Sequence, residues 1–177
     1  MSITRVFIAN RGEIAVRIIR ACRAAGLECV IGVSAADRDG LGAELADRAV
    51  VLGPAPARES YLNLPLIVHA AMATGCDALH PGYGFLSERA EFAALCSENG
   101  IAFVGPRPET IELLGDKLRA REVAEQAGLA RVPGSAALGD ASEARRAAEE
   151  IGYPVVLKAS AGGGGRGMFV ARDPDSI

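Results

Sequence analysis

VFIANRGEIAVRIIRACRAAG, residues 6–26, decides how the chain folds. Val6 to Ala9 is an uninterrupted apolar run, as a strand buried on both faces of a sheet requires. Gly12 to Ala25 then sets Ile14, Ile18, Cys22 and Ala25 at helical spacing, and Gly26 stops the helix. Glu28 to Val33 predicts a second strand and Ala49 to Leu52 a third, ended by Gly53-Pro54. Leu64 to Thr74 reads as a helix closing at Gly75, and Ala78 to His80 as a short strand entering a Pro/Gly loop. Glu88 to Asn99 places Phe92, Leu95 and Cys96 on one helical face, and Ile101 to Val104 is again strand-like. Strands alternating with helices imply an α/β fold: a parallel sheet with helices on both faces.

The pattern changes near residue 108. Pro108 to Leu114 and Asp116 to Ala127 predict two helices broken at Gly115, and Val132-Pro133-Gly134 a turn. Ser142 to Ile151 predicts a helix without a capping box, because Arg145 stands three residues after Ser142. Strands are expected at Pro154 to Ala159 and Met168 to Ala171, with a glycine loop between them. The expected division is a first domain over 1–114, a helical linker over 115–131 and the start of a second domain over 132–177.

Bulk composition excludes several classes. A net charge of −3 gives no general attraction to nucleic acid or acidic membranes. Cys22, Cys29, Cys76 and Cys96 form no CxxC pair and lie in or beside apolar elements, so buried free thiols are expected and no metal site. MSITRVFIAN carries no signal pattern, and no apolar run reaches membrane length; a cytoplasmic protein is expected. The basic residues are 17 Arg and 2 Lys. Lys117 and Lys158 survive this bias, which makes them candidates for sites that need a compact ammonium.

Lys158 opens the stretch KASAGGGGRGM, residues 158–168. Consecutive glycines free the backbone for positive φ, and their N–H groups can then surround phosphate oxygens. A Walker loop or a dinucleotide fingerprint would be followed by a helix; this loop runs into a strand. It therefore reads as a hairpin lid over a triphosphate. Val155, Leu157 and Ala159 share one strand face, so Lys158 points to the other.

Six motifs now stand in order: IANRGEIAVRIIRA at 8–21, SYLN at 60–63, HPGYGFLSE at 80–88, FVGP at 103–106, GDK at 115–117 and KASAGGGGRGM at 158–168. Together they resemble the biotin carboxylase of acetyl-, propionyl-, pyruvate- and methylcrotonyl-type carboxylases, over essentially the whole chain. The resemblance implies a Rossmann-like domain ahead of an ATP-grasp fold, here with a truncated lid domain. It also implies a reaction, in which ATP and bicarbonate give carboxyphosphate and the released CO2 carboxylates biotin on a carrier protein. Carried over by motif, Lys117 and Lys158 contact ATP, Gly164 and Gly165 close over its phosphates, and Tyr83 and Gly84 form the wall near the biotin ring. The resemblance places the Mg2+ ligands, the bicarbonate-binding residues and an arginine near biotin in the later ATP-grasp half, beyond Ile177, so no residue here is assigned to catalysis or metal. A carboxyltransferase and a carboxyl carrier are the implied partners. Arg17 and Arg20, three apart on one helical face, are candidates for a homodimer contact.

Other residues carry plainer expectations. NRGE at 10–13 reads as a strand-to-helix turn with Arg11 and Glu13 in polar contacts, and His80 as a loop-ordering residue. Arg166 is left between steering phosphate and facing solvent. Residues 1–177 alone are expected neither to carboxylate biotin nor to hydrolyse ATP. The alternative function is a non-catalytic interaction fragment that retains the N-terminal domain. An NAD-dependent oxidoreductase is disfavoured because GxGxxG does not follow the first strand.

Overall fold

The computed structural model describes residues 2–130, 132–159 and 167–177, and of Lys117 and Leu118 the backbone alone. They form two compact units, Met1–Gly115 and Asp116–Ile177.

The first unit is built on five parallel strands: β1 (Arg5–Ile8), β2 (Glu28–Ser34), β3 (Arg48–Gly53), β4 (Ala78–His80) and β5 (Ala102–Phe103). Their order across the sheet is β3-β2-β1-β4-β5, with Val6 in register with both Cys29 and Ala78. The helices are α1 (Gly12–Ala24), α2 (Leu41–Leu45), α3 (Leu64–Ala73), α4 (Ala90–Glu98) and α5 (Pro108–Gly115). Successive strand side chains point to opposite faces. Val6, Ile8, Cys29, Ile31 and Val33 therefore join Ile18, Ile19 and Cys22 of α1 in one buried cluster. Phe7, Val30 and Leu79 join Ile67, Val68, Phe92 and Cys96 of α3 and α4 in the other. Both faces of the central strands are covered, which is why β1 reads as a continuous apolar run.

Two departures from the sequence expectations have local causes. α2 has five residues, no side-chain cap and no buried residue, too short to show a helical period. α4 begins at Ala90 rather than Glu88, because turns hold the preceding chain: Ser87 N–H donates to Gly84 O (2.9 Å) and Arg89 N–H to Leu86 O (3.1 Å).

The second unit contains α6 (Lys117–Gln126), α7 (Ala141–Ile151), β6 (Val155–Lys158) and β7 (Met168–Ala171). Asp116 Oδ1 accepts from Arg119 N–H (3.1 Å) at the start of α6. The N-cap of α7 is Asp140, where the sequence suggested Ser142. Its Oδ1 accepts from Glu143 N–H (2.9 Å), while Glu143 Oε2 accepts from Gly139 N–H (2.7 Å). That is capping-box chemistry displaced by one residue. β6 and β7 form an antiparallel hairpin with Val156 opposite Val170 and Lys158 opposite Met168. Among the described residues no helix is long and apolar enough to cross a membrane.

Gly32 marks the tightest point of the first core. A Cβ there would lie 2.9 Å from both Leu52 Cδ1 and Phe7 Cζ, and Phe7 is fully buried. Overpacking of this kind costs about 1–3 kcal/mol, and a stiffer unfolded chain returns about 0.4–1 kcal/mol. Gly32→Ala is therefore expected to destabilise the protein by about 1 kcal/mol, seen as a lower urea midpoint in circular dichroism. An unchanged or higher midpoint would contradict this packing.

Candidate functional site

β1 and β4 are neighbours whose following connections leave in opposite directions, since β1 leads to β2 on one side and β4 to β5 on the other. In open α/β sheets the crevice at such a switch point, beyond the carboxyl ends of the strands, is where ligands bind. Asn10 follows β1 there, and the loop HPGYG follows β4. Asn10 is buried, at 3% exposure, and its amide is fully used. Nδ2 donates to Pro81 O and to Tyr83 O, each at 2.8 Å, and Oδ1 accepts from Arg11 N–H at 2.9 Å. Gly82 is required by this approach: it has φ +67°, and a Cβ would sit 2.7 Å from Asn10 Nδ2. His80 orders the same loop as expected, its Nδ1 accepting from Gly82 N–H at 3.0 Å. Burial lowers the His80 pKa, favouring the neutral ring that can accept.

Tyr83 stands out of this loop with 62% of its surface exposed. Its hydroxyl donates to Glu13 Oε2 at 3.1 Å, from the first turn of α1. That bond, together with the Glu13 charge, raises the Tyr83 pKa. Gly84 beside it has φ +64° and open space where a Cβ would point.

A polar-aromatic cluster supports the loop from below. Tyr61 of the SYLN motif is fully buried. Its hydroxyl donates to Asp37 Oδ2 (2.8 Å) and accepts from Ser34 N–H (3.0 Å). Its ring stacks on Phe85, with centroids 5.0 Å apart. Phe85 holds a φ of +42°, a left-handed conformation that costs a non-glycine residue about 1–2 kcal/mol and is here secured by the stack. The Arg11 guanidinium lies 5.4 and 5.6 Å from the Tyr61 and Phe85 ring centroids and bonds Asp37 Oδ2 at 3.3 Å. Burial alone would raise the Asp37 pKa, but hydrogen bonds from Ser34, Tyr61 and Arg11 outweigh it and hold the carboxyl below its ordinary range. The NRGE turn thus has the polar contacts its sequence suggested.

In the second unit β6 alternates as its sequence implied, whereas Met168, Phe169 and Val170 of β7 are all exposed. Val155 and Leu157 are half-buried, and Val156 and Lys158 exposed. Register puts Lys158, Val156, Met168 and Val170 on one face, where the last three are each about half exposed. Ala159 N–H donates to Gly167 O (2.8 Å) and closes the base of the loop. Gly164, Gly165 and Arg166 lie outside the described residues, as does the side chain of Lys117.

The four cysteines are free and buried, as expected. Burial pushes the Cys29 thiol up to about 11 and Cys96 to about 12, so both stay protonated. Among the described residues no group of three His, Cys, Asp or Glu could hold a metal ion. Sequence reading missed Asn10, Asp37 and the role of Tyr61. Only the position of Asn10, directly after a buried strand, carried a local signal.

Comparison with known proteins follows the same division of the chain. The family model "Biotin carboxylase, N-terminal domain" matches residues 2–111, and "Carbamoyl-phosphate synthase L chain, ATP binding domain" matches residues 116–177. The chain is 52% identical to the chloroplastic biotin carboxylase of Arabidopsis thaliana over 96% of its own length and 32% of that protein. It is 50% identical to a biotin carboxylase of Nostoc sp. over 100% of its length and 40% of that protein. It thus spans about a third to two fifths of the curated relatives it matches. A biotin carboxylase–beta-gamma-ATP complex from Campylobacter jejuni superposes with TM-score 0.91 at 46% identity, covering 98% of this chain and 39% of that one. The biotin carboxylase domain dimer of Hydrogenobacter thermophilus 2-oxoglutarate carboxylase, in complex with MgADP, ADP and bicarbonate, superposes with TM-score 0.89 at 48% identity. That match covers 99% of this chain and 39% of the other.

Tyr61→Phe tests the cluster. Removing the hydroxyl strands the buried Ser34 N–H and takes a donor from Asp37, a loss of about 1–3 kcal/mol. The folded Asp37 pKa is depressed, so its contribution is complete above the ordinary carboxylate range and fades as pH falls through the lowered value. The stability gap between wild type and Tyr61→Phe should therefore narrow on acidification, followed by urea unfolding at several pH values. A gap that widens in acid would contradict this.

Proposed function

This chain belongs to the biotin carboxylase N-terminal domain family, and from that membership we propose that it forms the first part of an ATP-dependent biotin carboxylase. In this reading the complete enzyme turns ATP and bicarbonate into carboxyphosphate, and the CO2 released carboxylates biotin on a carrier protein. Residues 1–114 carry the biotin-side wall, 115–131 link, and 132–177 begin the ATP-grasp domain.

The observation that carries the proposal is the Lys158 face of the β6–β7 hairpin. Val156, Met168 and Val170 offer an apolar platform beside the Lys158 ammonium. A purine nucleotide has the complementary chemistry: a flat apolar base at one end and anionic phosphates at the other. The base gains by covering the exposed apolar side chains, and the phosphate by a charge-assisted bond to Lys158. Lys117 is assigned to the same nucleotide, and Gly164 and Gly165 to closure over its phosphates. In the first unit the Tyr83 ring and the open side of Gly84 are assigned to the biotin wall.

Bound Mg2+ would neutralise charge on the transferring phosphoryl group. By the family resemblance its ligands are assigned outside this chain. The partners proposed are a biotin carboxyl carrier protein or domain, a carboxyltransferase and a second copy of the enzyme; the setting is cytoplasmic. The dimer contact is assigned to an open groove of about 590 Å3 flanked by Arg17 and Arg20 and floored by Val16, Ile31 and Leu41.

Lys158→Ala in the full-length enzyme is expected to raise the KM for ATP about tenfold or more, since a hydrogen bond to a charged group contributes about 1.5–3 kcal/mol. Lys158→Arg is not expected to restore it, because the planar fork is larger than an ammonium. Steady-state kinetics in ATP checks both. A wild-type KM and kcat in Lys158→Ala would remove the hairpin from the nucleotide site.

A further inference from the structure

We infer that Glu13 is a positioning residue for biotin, holding the Tyr83 ring in the plane the substrate meets while Asn10 holds the loop beneath it. The inference rests on the assignment of Tyr83 to the biotin wall.

The loop has little stiffness of its own. Gly82 and Gly84 flank Tyr83, both at positive φ, and the Tyr83 side chain is mostly exposed, so neighbouring side chains do little to fix its rotamer. Two bonds replace that packing. Asn10 Nδ2 fixes the Tyr83 carbonyl at 2.8 Å, and Glu13 Oε2 fixes the far end of the ring at 3.1 Å. With the carbonyl and the hydroxyl both held, the direction of the Tyr83 side chain is fixed, and because a phenol O–H lies in the plane of its ring, the bond to Glu13 also favours one ring plane. Both anchors come from one short stretch, the turn from β1 into α1, so the ring is referred directly to the sheet. Glu13 also sits in the first turn of α1, at the positive end of the helix dipole, where an acidic side chain is well placed.

Pre-setting a ring removes an ordering cost that the ligand would otherwise meet on binding. The loss of Glu13 should therefore appear in biotin affinity. Asn10 is buried and serves the fold as well, which makes the exposed Glu13 the discriminating position: among the described residues, its side chain bonds only Tyr83.

The experiment is steady-state kinetics of a full-length biotin carboxylase carrying residues 1–177, with free biotin as the varied substrate. The variants are Glu13→Ala, Glu13→Gln, Tyr83→Phe, Glu13→Ala with Tyr83→Phe, and Tyr83→Ala. Glu13→Ala and Tyr83→Phe are each expected to raise the KM for biotin about fivefold, without a matching rise in the KM for ATP. The double variant should be no worse than either single, because both remove the same bond. Glu13→Gln keeps an accepting oxygen and should stay within about twofold of wild type. A raised biotin KM in Tyr83→Ala with none in Glu13→Ala overturns the positioning role alone, as do single effects that multiply in the double variant. An unchanged biotin KM in Tyr83→Ala overturns the wall assignment and the inference with it.

Discussion

The buried amide of Asn10 joins the two strands at the switch point of the sheet, and much of the site depends on it. Both of its N–H groups and its oxygen are engaged within 2.9 Å by the HPGYG loop and its own turn. A polar group so far from water is costly unless every bond is made. The loop after β4 therefore has one arrangement that satisfies Asn10, and Gly82 is the residue small enough to allow it. What would otherwise be a glycine-rich surface loop becomes a fixed part of the sheet. Tyr83 can then be exposed and still ordered.

The Arg11, Asp37, Tyr61 and Phe85 cluster extends the same logic one layer further. Asp37 follows β2, Tyr61 precedes α3 and Phe85 lies in the loop after β4, so the cluster ties three connections to the turn that begins α1. Its charges are retained because each faces a partner. Asp37 accepts from a hydroxyl, a phenol and a guanidinium, and Arg11 has two aromatic faces beside it.

The sheet was legible because burial on both faces leaves a plain mark: Val6 to Ala9 and Glu28 to Val33 are almost wholly apolar, and α1 shows its period through Ile14, Ile18 and Cys22. The hairpin face of Lys158 followed from strand alternation alone. Short or polar features were not legible. α2 spans barely more than one turn, and the cap of α7 at Asp140 lies outside the apolar pattern that located the helix. Asn10 and Asp37 act through partners some seventy and twenty-four residues away, and a local reading of residue type holds no information about such distances. Family resemblance did name Tyr83 and Gly84, but it was silent on what holds them.

On the proposed reading, the ordered switch-point loop is the surface biotin meets. The most direct measurement is a crystal structure of the full-length enzyme with biotin bound. The ureido ring is expected within about 4 Å of the Tyr83–Gly84 segment, with the Tyr83 hydroxyl still on Glu13. A biotin ring seated elsewhere, with Tyr83 facing solvent, would contradict it.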